Sequence, residues 1–236
     1  MPLNFLTKPG LIALALGAIA TTSVLNACSS STQNQAQAPD TTATDAATKQ
    51  MDHGNMGGMN HGGMMDHSMM DLGPADAEFD LRFIDSMIPH HEGAVVMARE
   101  VLQKSKRPEL KKLAQDIIKA QEKEINQMKQ WRTVWYPKAP STPVAWHAPM
   151  GHSMAMSQDQ MKAMRMDMDL GPADAEFDKR FIAAMIPHHE GAVVMANDVL
   201  QKSKRPEVLQ LAKNIIASQQ AEIDQMQQWR KTWYGK

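Results

Sequence analysis

An internal repeat constrains what this chain can fold into more than any other feature of its sequence. Residues 71–136 match residues 169–234 at a constant offset of 98 positions. Both copies contain Met-Ile-Pro-His-His-Glu-Gly-Ala-Val-Val-Met-Ala and, further along, Glu-Ile-x-Gln-Met-x-Gln-Trp-Arg. The chain is therefore expected to contain two copies of one structural unit.

Each copy has the hydrophobic pattern of two long helices. In the first copy, apolar residues recur at three- and four-residue steps and predict one helix over 74–104 and another over 108–135. Pro89 lies inside the first, where it removes a backbone hydrogen bond and is expected to kink the helix. A short Ser-Lys-Arg turn makes the pair an antiparallel hairpin with a half-uncovered apolar face. Two such hairpins can cover each other, so the predicted fold is all-α, a four-helix bundle with pseudo-twofold symmetry.

The repeats leave three other parts of the chain. We expect the Ser-, Thr- and Gln-rich tether to be disordered, because it has no hydrophobic periodicity. The predicted organisation is a signal peptide over 1–28, a disordered tether with a Met- and His-rich leader over 29–70, a hairpin repeat over 71–136, a linker with a second such leader over 137–168, and a second hairpin repeat over 169–236.

The N-terminus has the pattern of an export signal. Lys8 precedes an apolar run over 11–20, which is shorter than the roughly 20 apolar residues that a membrane-spanning helix needs. Two interpretations of the next segment stay open: a lipoprotein cleavage box that makes Cys28 the lipidated first residue, or ordinary cleavage near Ala27 that leaves a free protein. Both predict a location in the periplasm or at the outer face of the cell envelope.

The composition of the chain limits which ligands and partners it can bind. The formal net charge is -1, which gives no basic excess for nucleic acid. The single cysteine, Cys28, excludes intramolecular disulfides and cysteine-based zinc sites. There are 21 methionines, far more than globular chains normally carry. A metal site in this protein must therefore use ligands other than cysteine, and the excess of methionine is the first clue to which.

The helical repeats contain candidate ligands at suitable spacing. Met87 and His91 are four residues apart and share one helix face. His90 and Met97 lie together on the flank of that face, but seven residues separate them, so they are expected to serve different ions. A methionine alone is more typical of core filler, and a lone buried histidine is usually a satisfied core residue. Adjacent histidines beside a methionine are harder to explain by packing, because buried imidazoles need partners. The second copy repeats the set with Met185, His188, His189 and Met195.

Polar residues also occur on the apolar face of the second helix of each repeat. A carboxylate there must be paired, and Glu124 is expected to accept a hydrogen bond from an imidazole and orient it. The Glu-x-x-His motif of di-iron bundles is absent from the sequence. The predicted supporting residues are Gln121, Glu124, Gln219 and Glu222.

The two leaders carry the most specific signal for a metal. Thioethers are soft, uncharged ligands that select copper(I) or silver(I) and cannot be lost to disulfides in an oxidising compartment. The alternative is a low-complexity linker, although linkers normally use Ser, Gly and Pro. The candidate ligands are His53, His61, His67, Met64 and Met69 in the first leader, and His147, His152, Met154 and Met156 in the second.

The segment Phe-Ile-x-x-Met-Ile-Pro-His-His-x-Gly-Ala, at 83–94 and 181–192, precedes Gln-x-x-Glu-Ile-x-x-Met in each repeat. This pairing resembles the CopM-type family of exported copper-binding proteins, ferritin-like four-helix bundles formerly known only as a domain of unknown function. The resemblance implies binding of copper and silver, with a role in tolerance or periplasmic delivery. It also implies that Met128 and Met226 join the ligands named above.

The leading hypothesis is a copper(I) buffer or metallochaperone without enzymatic activity, with copper(II) binding left open and silver as an analogue. Its expected partners are metal ions and a copper exporter or recipient cuproprotein, with no nucleic acid and with membrane attachment only through a lipid at Cys28. Two alternatives stay open: a redox enzyme that oxidises copper(I), and a purely structural or interaction bundle.

Overall fold

The computed structural model describes residues 70–235, and the predicted signal peptide, tether and first leader lie outside this range except for Met70. No helix in the range is both long and apolar enough to cross a membrane. In chain order the elements are α1 (Phe79–Lys104), α2 (Pro108–Trp135), β1 (Val144–His147), β2 (His152–Ala155), α3 (Gln158–Arg165), α4 (Phe177–Lys202) and α5 (Pro206–Tyr234).

The predicted helix boundaries are right except at the start of α1. The bounds of α2 and the end of α1 are confirmed, but α1 begins at Phe79 and not at Pro74, so the predicted start was wrong. The cause is the buried side chain of Arg82, whose Nε donates to the Leu72 carbonyl at 2.6 Å and whose Nη2 donates to the Pro74 carbonyl at 2.7 Å. These hydrogen bonds hold the preceding segment as a turn outside the helix.

Each repeat is a helical hairpin with the same local chemistry. Ser105 Oγ accepts the Arg107 backbone N–H at 3.1 Å, and Pro108 begins α2, where a missing N–H costs nothing. Ser203 and Arg205 repeat this turn at 3.2 Å between α4 and α5. Both α1 and α4 continue without interruption through their internal prolines.

The two hairpins pack through α1 and α4 and confirm the predicted all-α bundle. The first apolar cluster joins the C-terminal half of α1 to the N-terminal half of α4, for example Val101 with Phe181. The second apolar cluster joins the opposite halves, for example Phe83 with Val199. The two central helices therefore run antiparallel, and each cluster draws apolar side chains from both repeats.

The linker between the repeats is folded, which its sequence pattern does not predict. Its strands β1 and β2 form an antiparallel hairpin, and the backbone N–H of Val144 donates to Asp85 Oδ2 at 2.9 Å. The same buried carboxylate accepts from Arg132 Nη2 at 3.1 Å. Repeat two has Ala183 at the position of Asp85 and offers no such anchor. The linker is therefore docked on repeat one.

Candidate metal centre

The paired histidines meet at the middle of the bundle, where α1 crosses α4. The ring centroids of His90 and His188 are 3.9 Å apart. His91 and His189 lie beside them, with centroids 6.5 Å and 6.2 Å from their chain neighbours. All four residues are at most 1% exposed, so the structure gathers the predicted imidazoles of both repeats into one buried layer, named here the histidine centre.

A glutamate of the second helix orients one imidazole in each repeat. Glu124 Oε2 lies 2.7 Å from His91 Nε2, and Glu222 Oε2 lies 2.6 Å from His189 Nε2. An ionised carboxylate only accepts, so the Nε2–H of each imidazole is the donor. This places the lone pair of the neutral ring on Nδ1. Glu124 thus makes the contact expected of it, and Glu222 repeats this contact, while the role of either residue towards a metal stays a prediction.

Several ring nitrogens of the histidine centre have no hydrogen-bond partner within residues 70–235. Among the described residues, neither ring nitrogen of His90 has a hydrogen-bond partner, and neither do the Nδ1 atoms of His91, His188 and His189. Both amide atoms of Gln121 are in the same situation. A buried polar group left unpaired costs about 1–3 kcal/mol. Such a cluster of unpaired imidazole nitrogens therefore points to a ligand.

Burial keeps the central imidazoles neutral. Burial, together with the neighbouring His189, lowers the pKa of His188 to about 3. Burial and the facing His188 hold the pKa of His90 well below 6.5. Protons therefore do not compete for these ring nitrogens at neutral pH.

The methionines of the repeats are divided between the two ends of the histidine centre. Met87 and Met128 lie in the second apolar cluster with Met195 of the other repeat. Met97 lies in the first cluster instead, and its companions there are Met185 and Met226. Each end of the bundle thus has three fully buried thioethers, contributed by both repeats. The structure therefore places Met87 and Met97 at opposite ends of the histidine centre, and which of them bind an ion stays a prediction.

Carboxylates and imidazoles alone do not complete a metal site here. Within residues 70–235, no three side chains of His, Cys, Asp or Glu lie close enough together to hold one ion. The other soft donors near these imidazoles are the thioether sulfurs at the two ends of the histidine centre. This donor set suits soft ions.

The predicted ligands of the two leaders differ in exposure and in whether the structure describes them. His147 and His152 face each other across the β-hairpin. Met154 is 42% exposed, whereas Met156 is buried. The first-leader residues lie outside the described range, and they are His53, His61, His67, Met64 and Met69.

The glycine after each His-His-Glu triplet allows other segments to reach the histidine centre. A Cβ on Gly93 would lie 1.8 Å from the carbonyl oxygen of Arg165, at the end of α3. A Cβ on Gly191 would lie 3.0 Å from Met70 Cε and 3.2 Å from His90 Nε2. Sequence reasoning did not select Met70 or Arg165. The repeated glycine was the available signal, because glycine often marks a close approach.

This fold and this centre define a class of duplicated helical-hairpin protein whose core holds imidazoles between two sets of thioethers. The chain belongs to the DUF305 family, whose model, described as "Domain of unknown function (DUF305)", matches residues 22–132 and 80–230. The resemblance found from the helix motifs is thereby confirmed.

Solved structures of CopM are similar to this chain. The Cu(II)-bound form is 44% identical with a TM-score of 0.52, and the silver-soaked form is 40% identical with a TM-score of 0.52. Both alignments cover 66% of this chain and 97% of CopM. The apo form is 42% identical with a TM-score of 0.51, over 66% of this chain and 98% of CopM.

A curated relative matches over a shorter stretch. "Uncharacterized protein L153" of Acanthamoeba polyphaga mimivirus is 45% identical over 49 residues, which are 21% of this chain and 32% of that protein. This chain thus spans about a third of the length of the curated relative that it matches.

Proposed function

We propose that this protein is an exported copper-binding protein that holds copper(I), with silver(I) as an analogue, for sequestration, resistance or delivery. The observation that carries the proposal is the histidine centre, where each of four buried histidines has a ring nitrogen with no hydrogen-bond partner in the part of the chain that the structure describes. A helical core gains nothing from such groups unless a ligand satisfies them.

The donor set favours copper over harder metals. Neutral imidazole and thioether bind soft, low-charge ions, whereas carboxylate-rich sites bind Mg²⁺, Ca²⁺ or Mn²⁺. CopM, similar over nearly its whole length, has structures with Cu(II) and with silver bound. The likeness supports the same cargo for this chain.

Export follows from the N-terminal sequence pattern, which lies outside the described residues. Methionine ligands suit an oxidising compartment, because thioethers do not form disulfides there. We therefore place the protein in the periplasm or at the outer face of the envelope, with lipidation of Cys28 as one mode of attachment. A copper exporter or a recipient cuproprotein would then be its partner.

Binding, and not catalysis, is the proposed activity. A redox enzyme acting on copper(I) would consume oxygen beyond the stoichiometry of bound copper. Oxygen uptake by the copper-loaded protein should therefore stop at about one equivalent of oxidising capacity per ion. Sustained uptake would favour the redox enzyme instead.

Titration of the full chain with copper(I) against a competing chelator tests the proposal. We expect several tight sites, and fewer when His90, His91, His188 and His189 are changed together to glutamine, which retains most of the side-chain volume. Circular dichroism should find the variant still helical. Absence of tight copper(I) binding by the unmodified chain would falsify the function, and equal binding by the helical variant would reduce the histidine centre to a structural feature.

A further inference from the structure

The histidine centre has one face at Gly93 and another at Gly191, and different groups cover them although the two repeats share one motif. At Gly93 the cover is backbone, because the Arg165 carbonyl lies against the glycine. This oxygen is 3.1 Å from His188 Nε2, and a carbonyl only accepts, so Nε2 carries the proton. No lone pair is left on that nitrogen.

At Gly191 the cover is a methionine side chain. Sδ of Met70 lies 3.6 Å and Nε2 of His90 lies 3.2 Å from the point that a Gly191 Cβ would occupy. Met70 is 7% exposed and His90 is fully buried. Both nitrogens of His90 lack a hydrogen-bond partner among residues 70–235. A thioether and an unpaired imidazole nitrogen therefore converge on one point beside the α4 backbone.

We infer that Met70 Sδ and His90 Nε2 form a soft-metal site at Gly191, through which copper(I) or silver(I) passes from the N-terminal leader into the histidine centre. This inference rests on the proposed function. Met70 is the last residue of the leader, and seven methionines and three histidines lie within residues 51–70. Met70 is the methionine of that segment that the structure describes, and it lies beside His90.

The equivalent position in the other half is closed. Met168 occupies the place of Met70 in repeat two, is 57% exposed and does not cover the centre. The linker backbone lies at Gly93 instead, and Arg165 Nη1 ties it to Glu92 Oε2 at 3.3 Å. The site is thus unique within the pseudo-symmetric bundle, and Met168 supplies a matched control.

Silver(I) titration of the full chain, followed by NMR of methionine methyl groups and histidine ring nitrogens, tests the inference. We expect the Met70 methyl and His90 Nε2 signals to move within the first equivalent, while His188 Nε2 does not move. Met70→Leu keeps the side-chain volume but removes the sulfur, and should weaken binding at this site at least roughly tenfold. Met168→Leu should leave it unchanged.

The outcomes separate this inference from the proposed function. If the chain binds silver(I) tightly but Met70→Leu and Met168→Leu have the same affinity as the unmodified chain, the Met70 site is refuted while the function stands. A signal of His188 Nε2 that moves first would also refute it. The Met70 methyl signal of the unmodified chain also shows whether silver(I) binds at this site, so the inference can be tested even if a variant folds poorly. No tight silver(I) binding at all would instead overturn the proposed function.

Discussion

Replacement of Gly93 by alanine tests how closely the linker must approach α1. The new Cβ would lie 1.8 Å from the Arg165 carbonyl oxygen and 2.7 Å from its carbonyl carbon. These are backbone atoms at the C-terminal end of α3, so no side-chain rotation can relieve the overlap. The end of α3 has to move away from α1 as a unit.

The cost of that movement follows from what α3 contributes. Met164 is 1% exposed in the second apolar cluster, and exposing it costs about 1.5–3 kcal/mol. The Nε2–H of His188 would lose its acceptor inside a buried site, which costs about 1–3 kcal/mol. Alanine returns about 1 kcal/mol through its higher helix propensity. We expect a net loss of about 2–4 kcal/mol in the free energy of unfolding.

Urea denaturation of the metal-free protein measures this loss. The matched control is Gly191→Ala, whose Cβ meets the flexible end of Met70 at 3.0 Å and His90 Nε2 at 3.2 Å. A thioether tip can shift, so the overpacking cost is offset by helix propensity and the control should stay within about 1 kcal/mol of the unmodified chain. Equal stability of the two alanine variants would refute the close packing of α3 on α1.

Three further predictions follow from the same contacts. Glu124→Gln should lower copper(I) affinity roughly 10- to 100-fold by loosening the imidazole that it orients, whereas Glu122→Gln at an exposed neighbouring position should not, as competition titration will show. Metal-free protein should lose stability as the pH falls from 6.5 towards 3, by roughly 1 kcal/mol per pH unit, because His188 becomes protonated in the unfolded chain but stays neutral in the folded one. The midpoints of urea denaturation at several pH values measure this slope, and His188→Gln should reduce it. Asp85→Ala should cost about 2–4 kcal/mol in thermal unfolding, because it strands a partly buried guanidinium and a strand N–H, whereas Asp116→Ala, in an exposed pair, should cost less than about 1 kcal/mol.

The helical part of the fold could be predicted because each signal lies within the helix that it specifies. Pro108 at the first position, together with the apolar period that follows, was enough to define α2. The spacing of Glu124 placed its carboxylate on the apolar face, where the structure has it beside His91. Local sequence preference and tertiary packing favour the same structure at these positions, so the local pattern was sufficient to predict the helix.

The rest depends on contacts between distant segments. The start of α1 is set by Arg82, whose hydrogen bonds to two carbonyls outside the helix have no periodic signature. The β-hairpin lacks a long apolar alternation and is fixed by Asp85 and by the contact of Arg82 Nη1 with Ser153 Oγ at 3.0 Å. The place of Met70 depends on the crossing of α1 and α4, which no local pattern specifies.

The two halves of the bundle differ at one aligned position that bears on the linker, because Asp85 in α1 corresponds to Ala183 in α4. Asp85 holds β1, and β1 leads through its partner strand into α3, whose last residue covers Gly93 and accepts a hydrogen bond from His188 Nε2–H. Ala183 offers no anchor of this kind, and the Gly191 face is covered by the methionine that precedes repeat one. Duplication alone would give a symmetric centre with two equal routes. Because Asp85 connects the linker to the cover at Gly93, Asp85→Ala should free His188 Nε2 to respond to silver(I) in the NMR titration, as we expect of His90 Nε2.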